Sequence, residues 1–283
     1  MHVCYLIFIL CFTFSWSDPL LQNDTASFSK SATLMDFTDR IAFVAEKLGI
    51  TPEEVKTKLA NAKEDKTFPA DKKNIASHVD FTVLKATATT ADIVDLCNKA
   101  KLNKTISVCV NPNRVGICKK ELEGTGIRIA SVVGFPLGAT TSAAKAFESK
   151  EAVAAGADEI DMVIDIGALL EGDYKKVSQD IKEIVAAVPG KYVKCIIETC
   201  YLDRERIIDA SILTVISGAD NVKTSTGFGT AGAKPEHVAL MRAVVGPKFG
   251  VKAAGGIRTK EAAYAVIEAG ATRIGASSPA LFE

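Results

Sequence analysis

The sequence has no surplus of either charge: 34 Lys and Arg stand against 34 Asp and Glu in 283 residues. A nucleic-acid-binding chain carries a basic excess, so that partner is not expected. Histidine is scarce. His2, His78 and His237 are isolated, and neither an H-x-x-x-H nor a C-x-x-C pair occurs, so no metal site is expected. No Walker loop and no G-x-S-x-G elbow appears. Of seven cysteines, cleavage after Ser17 leaves Cys97, Cys109, Cys118, Cys195 and Cys200. An odd set is a poor disulfide framework, and free thiols in a reducing compartment fit better.

Long apolar runs are also missing, with one exception. Val3 to Trp16 is a run of 14, short for a bilayer span, and no membrane association is expected. Ser15, Ser17 and Asp18 follow its core, which reads as a secretory signal peptide over residues 1–17. No Lys or Arg precedes the run, so a plain N-terminal extension is the alternative. The sequons at Asn23 and Asn103 matter only if the chain is secreted.

What is present is an Ala-, Val-, Ile- and Gly-rich body, 48% apolar and 24% charged, the mix of a soluble fold whose strands are buried on both faces. A polar leader and two helical patterns fill residues 18–73. The first places Phe37, Ile41, Val44, Ala45 and Leu48 on one face. The second opens at Thr51-Pro52-Glu53-Glu54, an N-cap followed by proline at the first helical position, and ends near Ala62. From residue 74 to 283 the chain alternates. Apolar strand-like runs begin near Ser77, Ser107, Arg128, Glu159, Lys191, Asn221, Gly250 and Arg273, with helical patterns between them. Eight such units in about 200 residues predict an α/β fold, a closed (β/α)8 TIM barrel with an N-terminal helical extension. An open doubly wound sheet is the competing arrangement.

Several of these strands carry charge where a barrel strand alternates between helix layer and lumen. In NVKTST, Val222 facing the helices turns Lys223 and Ser225 inward. In GVKAAGG, Lys252 faces inward; in EIDMVID, Asp161 and Val163; in HVDFTVL, Asp80, Thr82 and Leu84. Two lysines and two aspartates thus converge on one interior. Crowded, desolvated ammonium groups lower one another's pKa, and a neutral amine attacks a carbonyl to form a Schiff base, with an aspartate beside it to move protons. A structural salt-bridge cluster is the competing reading. Lys194 is a third strand lysine, open to pairing with Glu198 or with an acid on a neighbouring strand.

Glycines close strands six to eight: Gly227 and Gly229, Gly255 and Gly256, then Gly275 before Ser277 and Ser278. Barrels often bind phosphate after strands seven and eight. Ser277 and Ser278 are expected to cap a short helix there, and Arg258 adds positive charge. Gly227, Gly229 and Gly232 also match G-x-G-x-x-G. That fingerprint belongs to a first βα turn with an acid about 20 residues on; here it follows the sixth strand and Lys252 stands at that distance, so no dinucleotide cofactor is expected.

VKTSTGF around Lys223, VKAAGGIRT around Lys252, ADEIDMVI around Asp161, VVGFPLGA (Val132 to Ala139) and RIGASS resemble the deoxyribose-phosphate aldolase family, over residues 74 to 278. The resemblance implies a cofactor-free, metal-free class I lyase. Such an enzyme cleaves 2-deoxy-D-ribose 5-phosphate reversibly to D-glyceraldehyde 3-phosphate and acetaldehyde. It implies Lys223 as the Schiff-base lysine, Lys252 as the lysine that keeps it neutral, Asp161 as proton relay and Asp80 as a supporting acid. It places Cys109 near the pocket and Thr82 and Thr226 as substrate-side hydroxyls. Gly227, Gly255, Gly256, Ser277 and Ser278 are implied as the phosphate cradle. The expected partner is a small-molecule sugar phosphate, a homodimer is allowed, and the implied compartment is the cytoplasm, with secretion as the alternative that residues 1–17 raise. The sequence departs from the family in ending at Glu283, where some members continue to a tyrosine that aids proton transfer, and in carrying Asp165 where Asn is frequent. Another Schiff-base sugar-phosphate aldolase, or a non-catalytic sugar-phosphate- or protein-binding relative, are the competing functions.

Overall fold

Eight parallel strands close on themselves in sequence order. They are β1 (Val79–Val83), β2 (Ser107–Val110), β3 (Arg128–Val133), β4 (Glu159–Val163), β5 (Tyr192–Ile196), β6 (Asn221–Lys223), β7 (Gly250–Ala254) and β8 (Arg273–Ala276). β8 pairs back to β1 through Asp80 and Gly275. The computed structural model describes residues 36–283 except 68, 70 and 72; the expected signal peptide and most of the polar leader lie outside the described residues. Among the described residues, no helix is long and apolar enough to cross a membrane.

Ten α-helices surround or flank the barrel among the described residues: α1 (Thr38–Leu48), α2 (Pro52–Ala60), α3 (Thr90–Asn103), α4 (Val115–Glu121), α5 (Ser142–Ala154), α6 (Ile166–Glu171), α7 (Tyr174–Ala187), α8 (Arg204–Ile216), α9 (Pro235–Val245) and α10 (Lys260–Glu268). Side-chain caps start many of them. Thr51 with Glu54 and Thr89 with Asp92 form capping boxes, and Thr141, Asp165, Asp173, Asp203 and Thr259 each accept a backbone N–H of the first turn; each such cap contributes about 1 kcal/mol.

Two boundaries differ from the sequence pattern. β1 starts at Val79 because Ile75–His78 turns as a 3-10 helix. The helical pattern between the fourth and fifth strands is divided into two helices, since Gly172 is left-handed at φ 81 and ends α6 before Asp173 caps α7. After β8 the chain makes a three-residue 3-10 turn, Pro279–Leu281, a stub in place of a full helix.

The expected strand alternation holds. Val79, Phe81, Ile160, Met162, Val222 and Val251 join the large apolar cluster between strands and helices. Leu84, Cys109, Ala130 and Val132, with Phe135 packed against them, form a second, smaller apolar cluster. α8 is buried almost all round, from Ile207 to Ile216; its polar members are satisfied inside, Ser211 and Thr214 by helix carbonyls and Asp209 by Arg40 and Tyr174. α1 and α2 cover its outer face. Arg40 on α1 forks onto buried Asp209 on α8, which also accepts from Tyr174 of α7, and Phe43 meets the Tyr174 ring edge-on at 5.8 Å.

Candidate active site

The barrel interior holds charges where an ordinary barrel holds aliphatic layers. Four cations, Lys194, Lys223, Lys252 and Arg273, and three carboxylates, Asp80, Glu159 and Asp161, are all at most 2% exposed. Strand register brings them together. Lys223 of β6 lies beside Lys252 of β7, Lys252 beside Arg273 of β8, and Asp161 of β4 beside Lys194 of β5.

Asp161 is the centre. Its Oδ2 accepts from Lys223 Nζ at 2.8 Å and from Lys252 Nζ at 2.7 Å, while its Oδ1 accepts from Lys194 Nζ at 2.7 Å. A second tier holds this one from below. Lys194 also donates to Glu159 at 2.5 Å, Arg273 bonds Asp80 and Glu159 at 2.8 and 2.7 Å, Lys252 contacts Asp80, and Ser107 donates to Asp80 at 2.7 Å. Ion pairing therefore offsets a desolvation cost of several kcal/mol per charge.

Two ammonium groups share the one Asp161 Oδ2, and the repulsion between them is relieved when one releases its proton. Lys223 is the candidate. Burial pushes its pKa down and Lys252 adds to the effect, against the pull of Asp161. Burial also opposes the charge on Lys252, but Asp161 and Asp80 outweigh it and its pKa rises. Lys194 and Arg273 are likewise raised against their burial by the carboxylates around them. Burial works against the carboxylate charges too, yet the cations hold Asp161 well below the ordinary range and Asp80 and Glu159 below it. The arrangement thus singles out one amine as a nucleophile and keeps a carboxylate charged beside it.

Cys109 is fully buried, and burial with the Asp161 charge raises its thiol pKa, which keeps it a neutral wall. Thr82 is half-buried and donates to the Asp80 carbonyl at 2.8 Å. Ser225 is buried, as expected, and its hydroxyl has no protein partner.

At the C-terminal ends of the strands, Thr226 is anchored by Glu198. The Glu198 carboxylate accepts the Thr226 N–H at 3.2 Å and the Thr226 hydroxyl, and Glu198 itself is left-handed at φ 53. Gly227, Gly255 and Gly256 all have positive φ, and a Cβ on Gly255 would stand 3.3 Å from the Gly227 Cα. The two loops touch backbone to backbone. The G-x-G-x-x-G spacing has the same origin: a Cβ on Gly229 would meet Cys200 Sγ at 2.7 Å, and one on Gly232 would meet the Gly255 carbonyl at 2.1 Å.

Two expectations need correction. Gly275 lies inside β8, where a Cβ would be 3.2 Å from Lys252 Cε; it makes room for the lysine rather than forming the rim. The expected Ser277 and Ser278 helix cap is not made, because the short 3-10 turn opens on Pro279, which has no N–H; Ser278 donates instead to the Arg258 carbonyl at 3.3 Å. Asp165 caps α6 and pairs with Lys176 at 2.8 Å, so its charge is engaged on the helix side. Arg258 and Ser277 are exposed at the same end as Gly256. Glu159, Arg273 and Glu198 were not among the expected site residues. The first two carried a signal, since Glu159 shares the inward face of β4 with Asp161 and Arg273 that of β8 with Gly275. Lys194 proves to pair with strand acids and not with Glu198.

Comparisons with known proteins give the family. The family model described as DeoC/LacD family aldolase matches residues 70–278. The deoxyribose-phosphate aldolase of Aciduliprofundum boonei is 58% identical over 209 residues, 73% of this chain and 94% of that protein. That of Thermococcus gammatolerans is 56% identical over 209 residues, 72% and 93%. Among solved structures, the tetrameric deoxyribose phosphate aldolase of Aeropyrum pernix superposes with a TM-score of 0.68 at 30% identity, covering 81% of this chain and 95% of that one.

Proposed function

The chain belongs to the DeoC/LacD aldolase family, and we propose from that premise that it cleaves 2-deoxy-D-ribose 5-phosphate, reversibly, with Lys223 as the Schiff-base nucleophile. The observation that carries the assignment is the shared Asp161 Oδ2, bonded by both Lys223 and Lys252 in the buried barrel interior.

Neutral Lys223 adds to the C1 carbonyl of the open-chain sugar, and loss of water leaves an iminium. The proton of the C3 hydroxyl passes through water to Asp161 and the C2–C3 bond breaks. The bonding pair flows to C2 and the iminium nitrogen, giving an enamine and releasing D-glyceraldehyde 3-phosphate. Asp161, acting through water, returns a proton to C2, and hydrolysis of the iminium frees acetaldehyde and the Lys223 amine. Lys252 stays charged, held by Asp80 and Asp161, and its field keeps Lys223 neutral between turnovers. The apolar side formed by Leu84, Cys109, Val132 and Phe135 suits the two-carbon fragment. Backbone N–H groups around Gly227, Gly255 and Gly256, with Thr226, Ser277, Ser278 and Arg258, form the phosphate end. The barrel of residues 74–283 carries this chemistry, and the reading fits a cytoplasmic catabolic enzyme working on its own or as a homo-oligomer.

Borohydride added with 2-deoxyribose 5-phosphate reduces the iminium to a stable adduct that mass spectrometry locates on Lys223. Lys223→Met is expected to lose both adduct and turnover while keeping its fold. Continued turnover by that variant overturns the assignment.

A further inference from the structure

The family match begins at residue 70, yet the charge network does not end there. Arg273 Nη1 donates to Thr67 Oγ1 at 3.0 Å. Thr67 is placed in turn by Asp65, whose Oδ1 accepts the Thr67 N–H at 2.9 Å and its hydroxyl at 2.6 Å. The other Asp65 oxygen accepts from the hydroxyl of Thr272, next to Arg273, at 3.0 Å. Asp65 N donates to the Lys248 carbonyl at 2.9 Å, tying the segment to the approach to β7. Asp65 is only 3% exposed. Thr67 also lines, with Arg128, Glu159 and Tyr192, a cavity of about 490 Å³ at the N-terminal end of the barrel. Its hydroxyl therefore stands between that space and the buried charges.

We propose that Thr67, oriented by Asp65, is a positioning residue for the reaction: it fixes the Arg273 guanidinium beneath the site, so that a segment preceding the aldolase match completes the machinery around Lys223. The inference rests on the aldolase reading above. Its physical basis is directional. The Thr67 hydroxyl spends its one proton on Asp65, so its lone pairs face Arg273. With Nη1 held there, Nε and Nη2 are aimed at Asp80 and Glu159. Those carboxylates hold Lys252 and Lys194, and these with Lys223 hold Asp161. A bidentate guanidinium loses much of its value when one anchor is removed and the plane can turn.

The groups facing each end of this chain are known. Lys223 is faced by Asp161 from β4, Lys252 from β7 and Cys109 from β2. Arg273 is faced by Asp80 from β1, Glu159 from β4, Tyr192 and Lys194 from β5, Lys252 from β7 and His78 from the turn before β1. A loosened Arg273 lowers the positive field on Asp80 and Asp161, and their charge then favours the protonated form of Lys223. The active amine exists only above its own pKa, so the acid limb of the pH–rate profile moves to higher pH.

The test is the pH dependence of kcat/KM for cleavage of 2-deoxyribose 5-phosphate by Thr67→Val, Thr67→Ser and the unaltered chain. Thr67→Val is expected to move the acid limb upward and to lower kcat/KM about threefold or more on that limb, the change in neutral fraction that half a pH step produces. Thr67→Ser, which keeps the hydroxyl, is expected to restore the original limb. Thr67→Ala, which also removes the hydroxyl and leaves every charge in place, supplies the same reading should Thr67→Val fail to fold, with a limb displaced in the same direction. An acid limb that stays in place in the folded variants, even with lower amplitude at every pH, overturns the proposal. Absence of a borohydride adduct in the unaltered chain would instead overturn the aldolase reading, so the two failures are distinct.

Discussion

Lys252→Leu removes the ammonium that shares Asp161 Oδ2 with Lys223. Lys223 is then the one lysine on that oxygen, free of its neighbour's repulsion, and has less reason to release its proton. The size of the effect follows from geometry. Lys223 and Lys252 bond the same Asp161 oxygen at 2.8 and 2.7 Å, so their nitrogens are within about 5.5 Å of each other. At an effective dielectric constant of about 20, two like charges at that separation repel by about 3 kcal/mol, on the order of a hundredfold in the neutral fraction of Lys223 at a given pH. Asp161, relieved of one partner, bonds Lys223 more strongly and acts in the same direction. The assay is the rate of borohydride trapping with 2-deoxyribose 5-phosphate across pH, with the cleavage rate measured in parallel and thermal unfolding as a control for the fold. The acid limb of both rates should move to higher pH, and trapping at neutral pH should fall by roughly two orders of magnitude. A folded variant whose limb stays in place, or moves to lower pH, refutes the electrostatic role given to Lys252.

Two further outcomes test the frame around the site. Gly232→Ala places a Cβ 2.1 Å from the Gly255 carbonyl; forcing the two loops apart should cost about 1–3 kcal/mol in urea unfolding and raise KM for the phosphorylated sugar more than it lowers kcat. Arg40→Ala removes the guanidinium from the Asp209 side chain, 0% exposed, which keeps the Tyr174 hydroxyl. Because Arg40 is 21% exposed, the loss expected in denaturant unfolding is about 2 kcal/mol, below that of a fully buried pair, with the acid limb of the rate profile unmoved.

Much of this architecture was legible because period-two alternation reports which face of a strand a residue occupies. It put Lys223, Lys252, Asp161 and Asp80 inside together, and the structure has them there. Alternation does not report height along the barrel axis. Glu159 and Arg273 share inward faces with Asp161 and Gly275, but only the stagger between strands brings them beneath the lysines. Glycine clustering marked the loops after β6 and β7 correctly. It misread Gly275, since a glycine that clears space for a neighbouring side chain looks the same in sequence as one that approaches a ligand. The split of α6 from α7 turned on one left-handed glycine inside an otherwise continuous amphipathic pattern. Contacts across long separations, such as Thr67 with Arg273, leave no local trace at all.

The two-sided burial of α8 has a consequence for how such a protein can be altered. The barrel axis is occupied by the charges to which we assign the chemistry, so on that reading its composition cannot be optimised for firmness without touching the reaction. The freedom to change lies in the annulus between strands and helices and in the seam where α1 and α2 overlie α8. There, apolar substitutions act on cohesion alone. Adaptation to heat or to a new compartment would accumulate in that outer ring, leaving a charged axis that changes little while its surroundings diversify.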